Sequence, residues 1–350
     1  MKAAVFTEVQ KVIVTNKPKP VPGPGQALVK VERCGICGSD LHGYLAGPVM
    51  EVFYAFGTVM GHECSGVVAE VGDGVSNVKT GDRVVIYPSA FCGACPPCLD
   101  GKTNICLNAV VHGIGLTTLG DGAFAEYLLI TRPDQMLHKL PEGVTFEEGA
   151  IVEPLATSLH GVRKSRFKPG DVVVVIGAGP IGLGTIQFLK LGGAGKIITL
   201  EISPERTKAA LELGADLVLN PQTEGDFLAM KLAELTGGLG ADIVFECSGV
   251  PFAFQNSINF IKPGGQVMVV GITEKDTPLS CVVFTIKEAE MKGCFAYTIN
   301  EFKMVIDFIA RKKINTAALI STVIALDDIQ EKGFQRLAAA RDLVKILIRP

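Results

Sequence analysis

Apolar and polar positions follow one rhythm in the first part of the chain and another in the second. Before about residue 154, brief β-type runs such as Gly25 to Val31, Gly66 to Val71 and Arg83 to Tyr87 are separated by Gly and Pro turns. That pattern predicts an antiparallel, barrel-like β domain. Met1 to Val14 reads as a short alternating strand interrupted at Glu8 and Lys11. Beyond residue 154 strands and helices alternate. Strand runs at Val172 to Ile176, Lys196 to Leu200, Asp216 to Leu219, Asp242 to Glu246 and Gln266 to Val270 are separated by helical runs from Ile181, Glu205, Phe227 and Phe252. Such alternation predicts a parallel, doubly wound sheet. From about Phe295 to Pro350 the pattern is mixed again, and this stretch is expected to rejoin the first domain. The expected division is 1–153, 154–294 and 295–350 in an α/β protein.

Composition narrows the picture. A chain of 350 residues has room for two domains. Net charge is −3, sequence pI is about 6.0, and no block of Lys or Arg occurs, which argues against nucleic acid and against an anionic membrane. A small molecule is the expected partner. The first residues lack the apolar stretch of a signal peptide, and the longest apolar runs fall short of a bilayer span, so a cytoplasmic location is expected. Ten cysteines in a reducing compartment are thiols or metal ligands, and Cys34, Cys64, Cys247, Cys281 and Cys294 have the apolar neighbours of core residues.

The other five cysteines carry chemistry. Cys92, Cys95, Cys98 and Cys106 form a C-x₂-C-x₂-C-x₇-C run. Four thiolates so close together can surround one tetrahedral zinc ion, whereas disulfides at that spacing would be strained. This predicts a structural zinc lobe over 90–107, folded by Gly and Pro turns without a persistent helix. Cys37, in Cys34-Gly-Ile-Cys37-Gly-Ser39-Asp40-Leu-His42, joins His62 and Glu63 of Gly61-His62-Glu63 and Glu153 of Val152-Glu153-Pro-Leu as a second ligand set. One thiolate, one imidazole and a carboxylate leave a coordination position for substrate, the mark of a catalytic zinc.

Val172 to Ile176 runs into Gly177-Ala-Gly179-Pro180-Ile181-Gly182, a G-x-G-x-x-G between a strand and a helix. Its glycines allow the turn, the approach of a pyrophosphate and close helix packing, and the helix N-terminus faces the phosphates. Glu201, 19 residues after Gly182, can accept the ribose hydroxyls and repel a 2′-phosphate, which favours NAD; Arg206 is a cation close by.

In this order, these motifs resemble the zinc-dependent medium-chain dehydrogenases, the family of zinc alcohol and sorbitol dehydrogenases, across essentially the whole chain. The resemblance implies a GroES-like catalytic domain, a Rossmann coenzyme domain, two zinc ions per chain, NAD, and a homodimer or homotetramer. It also assigns roles. Cys37 and His62 are zinc ligands, with the third place shared between Glu63 and Glu153. Asp40 orients His62, Ser39 receives the alcohol proton, and His42 passes it on. Glu153 stands where alcohol dehydrogenases carry a second Cys, as in the polyol, threonine and butanediol branches. Zinc lowers the pKa of an alcohol from about 16 toward 7, so that hydride can leave to nicotinamide.

For substrate, Phe295-Ala296-Tyr297-Thr298 and His42-Gly43-Tyr44 are similar to the 2,3-butanediol dehydrogenase branch. Ala296 replaces an Arg of sorbitol-type enzymes, and the segment Val49 to Met60, with Phe53, Tyr54 and Phe56, is expected to line the pocket. The expected reaction is oxidation of a secondary alcohol or vicinal diol. Sorbitol or another polyol, or threonine, is the alternative substrate. A non-catalytic NAD-binding zinc protein and a zinc-free quinone or enoyl reductase are the alternatives of other classes.

Overall fold

The computed structural model describes every residue except 49–53, 110–112, 118–119, 274 and 341. The chain forms two compact units: Met1–Glu153 with Thr298–Lys312 and Ile320–Pro350, and Pro154–Tyr297 with Lys313–Leu319.

In the first unit, Lys2–Glu8 and Lys11–Asn16 pair as an antiparallel hairpin, so the charges at Glu8 and Lys11 flank a turn. A seven-stranded sheet places Ala27–Gly35 at its centre, between Glu63–Val71 and the C-terminal strand Ile346–Arg349. Tyr127–Ile130 also pairs with Ala27–Gly35, and Arg83–Ile86 continues the sheet beyond Glu63–Val71. The pairings are antiparallel, except that Thr322–Ala325 runs parallel to Ile346–Arg349. Buried Val29, Val31, Val68, Val84, Phe124, Leu128 and Phe334 share one core on this sheet. Two register shifts interrupt the Ala27–Gly35 and Glu63–Val71 pair, yet Gly35 still faces Glu63 at its end.

The second unit is a six-stranded parallel sheet in the order Leu217–Leu219, Lys196–Leu200, Val172–Ile176, Ala241–Glu246, Ile261–Val269, Glu290–Gly293. This is the doubly wound dinucleotide-binding order, with its topological switch between Val172–Ile176 and Ala241–Glu246. Strands buried on both faces explain the near-continuous apolar run Val172 to Ile176.

Two expectations are corrected. The last stretch does not belong wholly to the first unit: Lys313–Leu319 returns to the second, where the Asn315 amide donates to Gln187 Oε1 at 2.7 Å and Gln187 Nε2 to the Asn315 carbonyl at 3.1 Å. The second unit also extends to Tyr297, past the expected boundary at 294. Cysteine packing is mixed: Cys34 and Cys64 are buried, Cys247 and Cys294 are half-buried, and Cys281 is exposed. No helix among the described residues is long and apolar enough to cross a membrane.

Candidate metal centres and coenzyme site

Cys37 follows the central strand and is the N-cap of helix Gly38–Ala46. Asp40 in the first turn accepts the Cys37 amide at 3.0 Å through Oδ2. Its other oxygen points at His62, with Oδ1 and Nδ1 3.6 Å apart, longer than a hydrogen bond, and neither atom has another partner. Burial opposes charge on His62, but Asp40 and Cys37 outweigh it and hold its pKa well above the ordinary imidazole value. The expected pairing of Asp40 with His62 is thus present as an approach.

Cys37, His62 and Glu63 each offer a ligand atom within 4.8 Å of the others. The set joins thiolate, imidazole and carboxylate, a donor combination that suits zinc. Glu153 stands outside this group at that distance, although its charge acts on Tyr54 and Lys345. Gly35 makes room for the Glu63 side chain: a Cβ there would lie 2.1 Å from Glu63 Oε2.

One member of this centre was not anticipated. Lys345, 3 % exposed, places Nζ 2.6 Å from both carboxylate oxygens of Glu63 and 2.9 Å from the Ile36 carbonyl. It reaches there because Ile346–Arg349 pairs with Gly35 and Cys34. Burial alone would lower the Lys345 pKa, but the Glu63 carboxylate raises it above the usual value and keeps the ammonium charged. The sequence signal is one Lys inside the apolar run Leu343-Val344-Lys345-Ile346-Leu347-Ile348.

The four-cysteine lobe is assembled as expected. Sγ separations are 4.0 Å for Cys92 and Cys98, 3.8 Å for Cys95 and Cys106, and 3.6 Å for Cys92 and Cys106. Zn–S bonds of about 2.3 Å in a tetrahedron put sulfurs about 3.8 Å apart, whereas a disulfide needs about 2 Å. Hydrogen bonds favour thiolate at Cys92: first the Ala94 backbone N–H, then the Asn108 side chain and the Cys95 backbone N–H, lower its pKa to about 5. Cys98, by contrast, is pushed up to about 12 by burial. The expectation that no helix persists here is corrected by Pro96–Leu99, one turn capped by Cys95 with proline at its first positions, where the missing N–H costs nothing.

At the coenzyme motif, Gly177 has φ +88°, and a Cβ on Gly182 would lie 1.8 Å from the Gly177 carbonyl. Both positions require glycine. Gly179 caps helix Pro180–Leu191, whose second residue is Ile181. Among the described residues, chain neighbours aside, a Gly179 Cβ would meet just Arg206 Nη1, at 3.9 Å, so space beside this helix N-terminus lies open next to a guanidinium. Glu201 is buried rather than solvated. Its Oε2 accepts the Ala178 amide at 2.7 Å, and Oε1 accepts those of Ile202 and Ser203, both at 2.8 Å. Glu246, which the sequence did not single out, ends the neighbouring strand and accepts the Ser248 and Gly249 amides; burial raises its pKa.

Ser39 and His42 lie half-buried on helix Gly38–Ala46. In the segment expected to line a pocket, residues 49–53, with Phe53, lie outside those described. Tyr54 is buried, while Phe56 is 48 % exposed and packs against Phe6, with ring centroids 5.1 Å apart. Phe56 therefore packs at the surface against the hairpin.

A Cys-His-Glu centre with its imidazole and carboxylate buried, a four-cysteine lobe and a dinucleotide-binding sheet together define a zinc-dependent oxidoreductase. Residues 23–142 match the alcohol dehydrogenase GroES-like domain and residues 180–311 the zinc-binding dehydrogenase domain; the chain belongs to the zinc-binding alcohol dehydrogenase family. Zinc and a nicotinamide coenzyme are its cofactors. Similar proteins include (R,R)-butanediol dehydrogenase of Bacillus subtilis, 39 % identical with all of both chains covered. Sorbitol dehydrogenase of the same organism is 31 % identical over 100 % of this chain and 97 % of its own. The crystal structure of 2R,3R-butanediol dehydrogenase from Bacillus subtilis superposes with a TM-score of 0.89 at 37 % identity, covering 100 % of this chain and 99 % of that one.

Proposed function

We propose that this chain oxidises short secondary alcohols and vicinal diols with NAD, with 2,3-butanediol and its ketone acetoin ahead of sorbitol. The observation that carries the reading is the convergence of half-buried Cys37 with buried His62 and Glu63 at the start of the helix bearing Ser39. Zinc held there would supply the Lewis acidity that acidifies an alcohol, and a bound nicotinamide would supply the hydride acceptor. The protein's own residues do the rest. Glu63 is the third ligand, held in place by Lys345, and Glu153 adds negative charge nearby. Asp40 orients the His62 ring. Ser39 takes the alcohol proton and His42 passes it onward. The backbone at Gly177, Gly179 and Gly182, opening helix Pro180–Leu191, receives the pyrophosphate. Glu201 receives the ribose through the free capacity of Oε2, and Arg206 lies on the phosphate side.

The substrate preference draws support from the higher identity to the butanediol enzyme than to the sorbitol enzyme, 39 % against 31 %. It also rests on Ala296, whose methyl offers no donor where sorbitol-type enzymes carry a guanidinium. Threonine would need charged partners for its ammonium and carboxylate. Steady-state kcat/KM on butanediol, sorbitol and threonine at saturating NAD tests the reading. Butanediol is expected to lead sorbitol by tenfold or more, about 1.4 kcal/mol. Sorbitol in the lead overturns it.

We also propose a cytoplasmic homodimer or homotetramer. Glu290–Gly293 ends the six-stranded sheet as an edge strand, and Val282 and Ile286 on the preceding helix are 67 % and 76 % exposed. Sedimentation showing only monomer at micromolar concentration contradicts it.

A further inference from the structure

Tyr54 carries two features that cost free energy in a folded chain. Its backbone is left-handed, φ +57°, in a residue with a bulky side chain. Such conformations cost about 1–3 kcal/mol and concentrate at functional sites. Its hydroxyl is buried in a residue only 6 % exposed and makes no fully formed hydrogen bond, Ser39 being the side chain that comes nearest to a partner. A buried polar group without a full hydrogen bond costs up to about 1–3 kcal/mol more. The Tyr54 amide donates to the Leu116 carbonyl at 3.2 Å, which helps hold the strained backbone.

The ring is aimed by helix Gly38–Ala46. A Cβ at Gly43 would lie 2.5 Å from Tyr54 Cγ and 2.8 Å from its Cβ, so the phenol rests directly on that glycine. Gly43 and Ser39 are four residues apart on one helix face, about 6 Å along the axis, a distance that a phenol ring spans. Burial is the largest influence on the hydroxyl and pushes its pKa up, as do the charges of Asp40, Cys37 and Glu153, while a hydrogen bond with Ser39 acts the other way. The hydroxyl thus lies beside Ser39 and within the influence of Cys37, Asp40 and Glu153, with no fully formed hydrogen bond from its own fold.

We propose that Tyr54 is a substrate-contacting specificity residue whose phenol hydroxyl hydrogen-bonds the second, non-reacting oxygen of a vicinal diol or of its hydroxyketone product. The assignment rests on the dehydrogenase reading above and deepens it. A site built to pair a substrate hydroxyl discriminates strongly against an analogue lacking it. Gly43 is then required for packing: any side chain there displaces the ring.

The test is Tyr54→Phe, which keeps the ring and removes only the oxygen, assayed with NAD on 2,3-butanediol and on 2-butanol. The expected result is a tenfold or greater loss of kcat/KM on the diol, less than a twofold change on the mono-alcohol, and an unchanged melting temperature. Equal losses on both overturn the assignment, since they place Tyr54 in the proton path or in packing. No loss on either also overturns it and leaves the hydroxyl to ordered water. If a polyol is the better substrate of the unmodified enzyme, the same ratio is read on that polyol against 2-butanol. The butanediol preference then fails while the Tyr54 assignment is still decided by the ratio. An unmodified enzyme that favours no diol or polyol over 2-butanol overturns the assignment as well.

Discussion

Lys345 and Glu63 show how much one residue can hide in a sequence. Glu63 was legible because it follows His62 in a short motif, but its partner lies 282 residues away. Only the pairing of Ile346–Arg349 with Gly35 and Cys34 brings the ammonium to it, and no local pattern encodes that register. Removing one member of a buried ion pair leaves the other charge unpaired, at a cost of about 3–5 kcal/mol. Lys345→Met is expected to lose stability in that range in the metal-stripped protein, and less with zinc bound beside Glu63. Urea unfolding with and without chelator checks this; equal stability of variant and parent in both states contradicts it.

His138 supplies a pH dependence at the same scale. It packs beside Phe302, and Nε2 donates to the Gln135 carbonyl at 3.1 Å in the neutral tautomer. Burial, then the charge of Lys303, lowers its pKa to about 4. An unfolded imidazole titrates near 6.5, so the unfolded chain takes up this proton first as pH falls. The stability is therefore present above about pH 6.5 and lost as pH drops toward 4, by about 3 kcal/mol in all. His138→Gln is expected to lose correspondingly less between pH 7 and 4.5 in urea titrations; identical losses in both proteins contradict the assignment.

At the scale of elements, the alternation of strand and helix from Val172 to Val270 was readable because each strand is a compact apolar run followed by a helical one. The role of Glu201 was only half readable. Its position after Lys196–Leu200 marked a ribose acceptor, but not that three backbone amides converge on its carboxylate. Glu201→Ala is therefore expected to do two things: narrow a preference of tenfold or more for NAD over NADP, and destabilise the fold by about 1–3 kcal/mol through the stranded N–H groups. Paired coenzyme kinetics and unfolding curves check both. Equal efficiency with the two coenzymes in the unmodified enzyme contradicts the first. The grouping of the four cysteines was legible from spacing, since four thiols within fifteen residues leave few other arrangements, but the helical turn Pro96–Leu99 was not. Cys95→Ser is expected to lose one zinc per chain and several of the roughly 10–16 kcal/mol that such a site contributes. Elemental analysis with a melting curve decides it; an unchanged metal content contradicts it.

For the whole molecule, sequence rhythm gave the two architectures, and the boundary at Glu153 coincides with the first break between units. The return of Lys313–Leu319 to the coenzyme unit was not legible, because it rests on Gln187 meeting Asn315 across 128 residues rather than on any local pattern. The central claim is that Cys37, His62 and Glu63 hold the zinc that makes this chain a dehydrogenase, while the coenzyme rests on the other unit. The most direct measurement is zinc content, alcohol turnover and NADH affinity of Cys37→Ser beside the unmodified enzyme. The account predicts two zinc ions per unmodified chain and one in the variant, turnover lost by a thousandfold or more, and NADH affinity within about threefold. Turnover retained in a variant that has lost that zinc, or a single zinc in the unmodified chain, would contradict it.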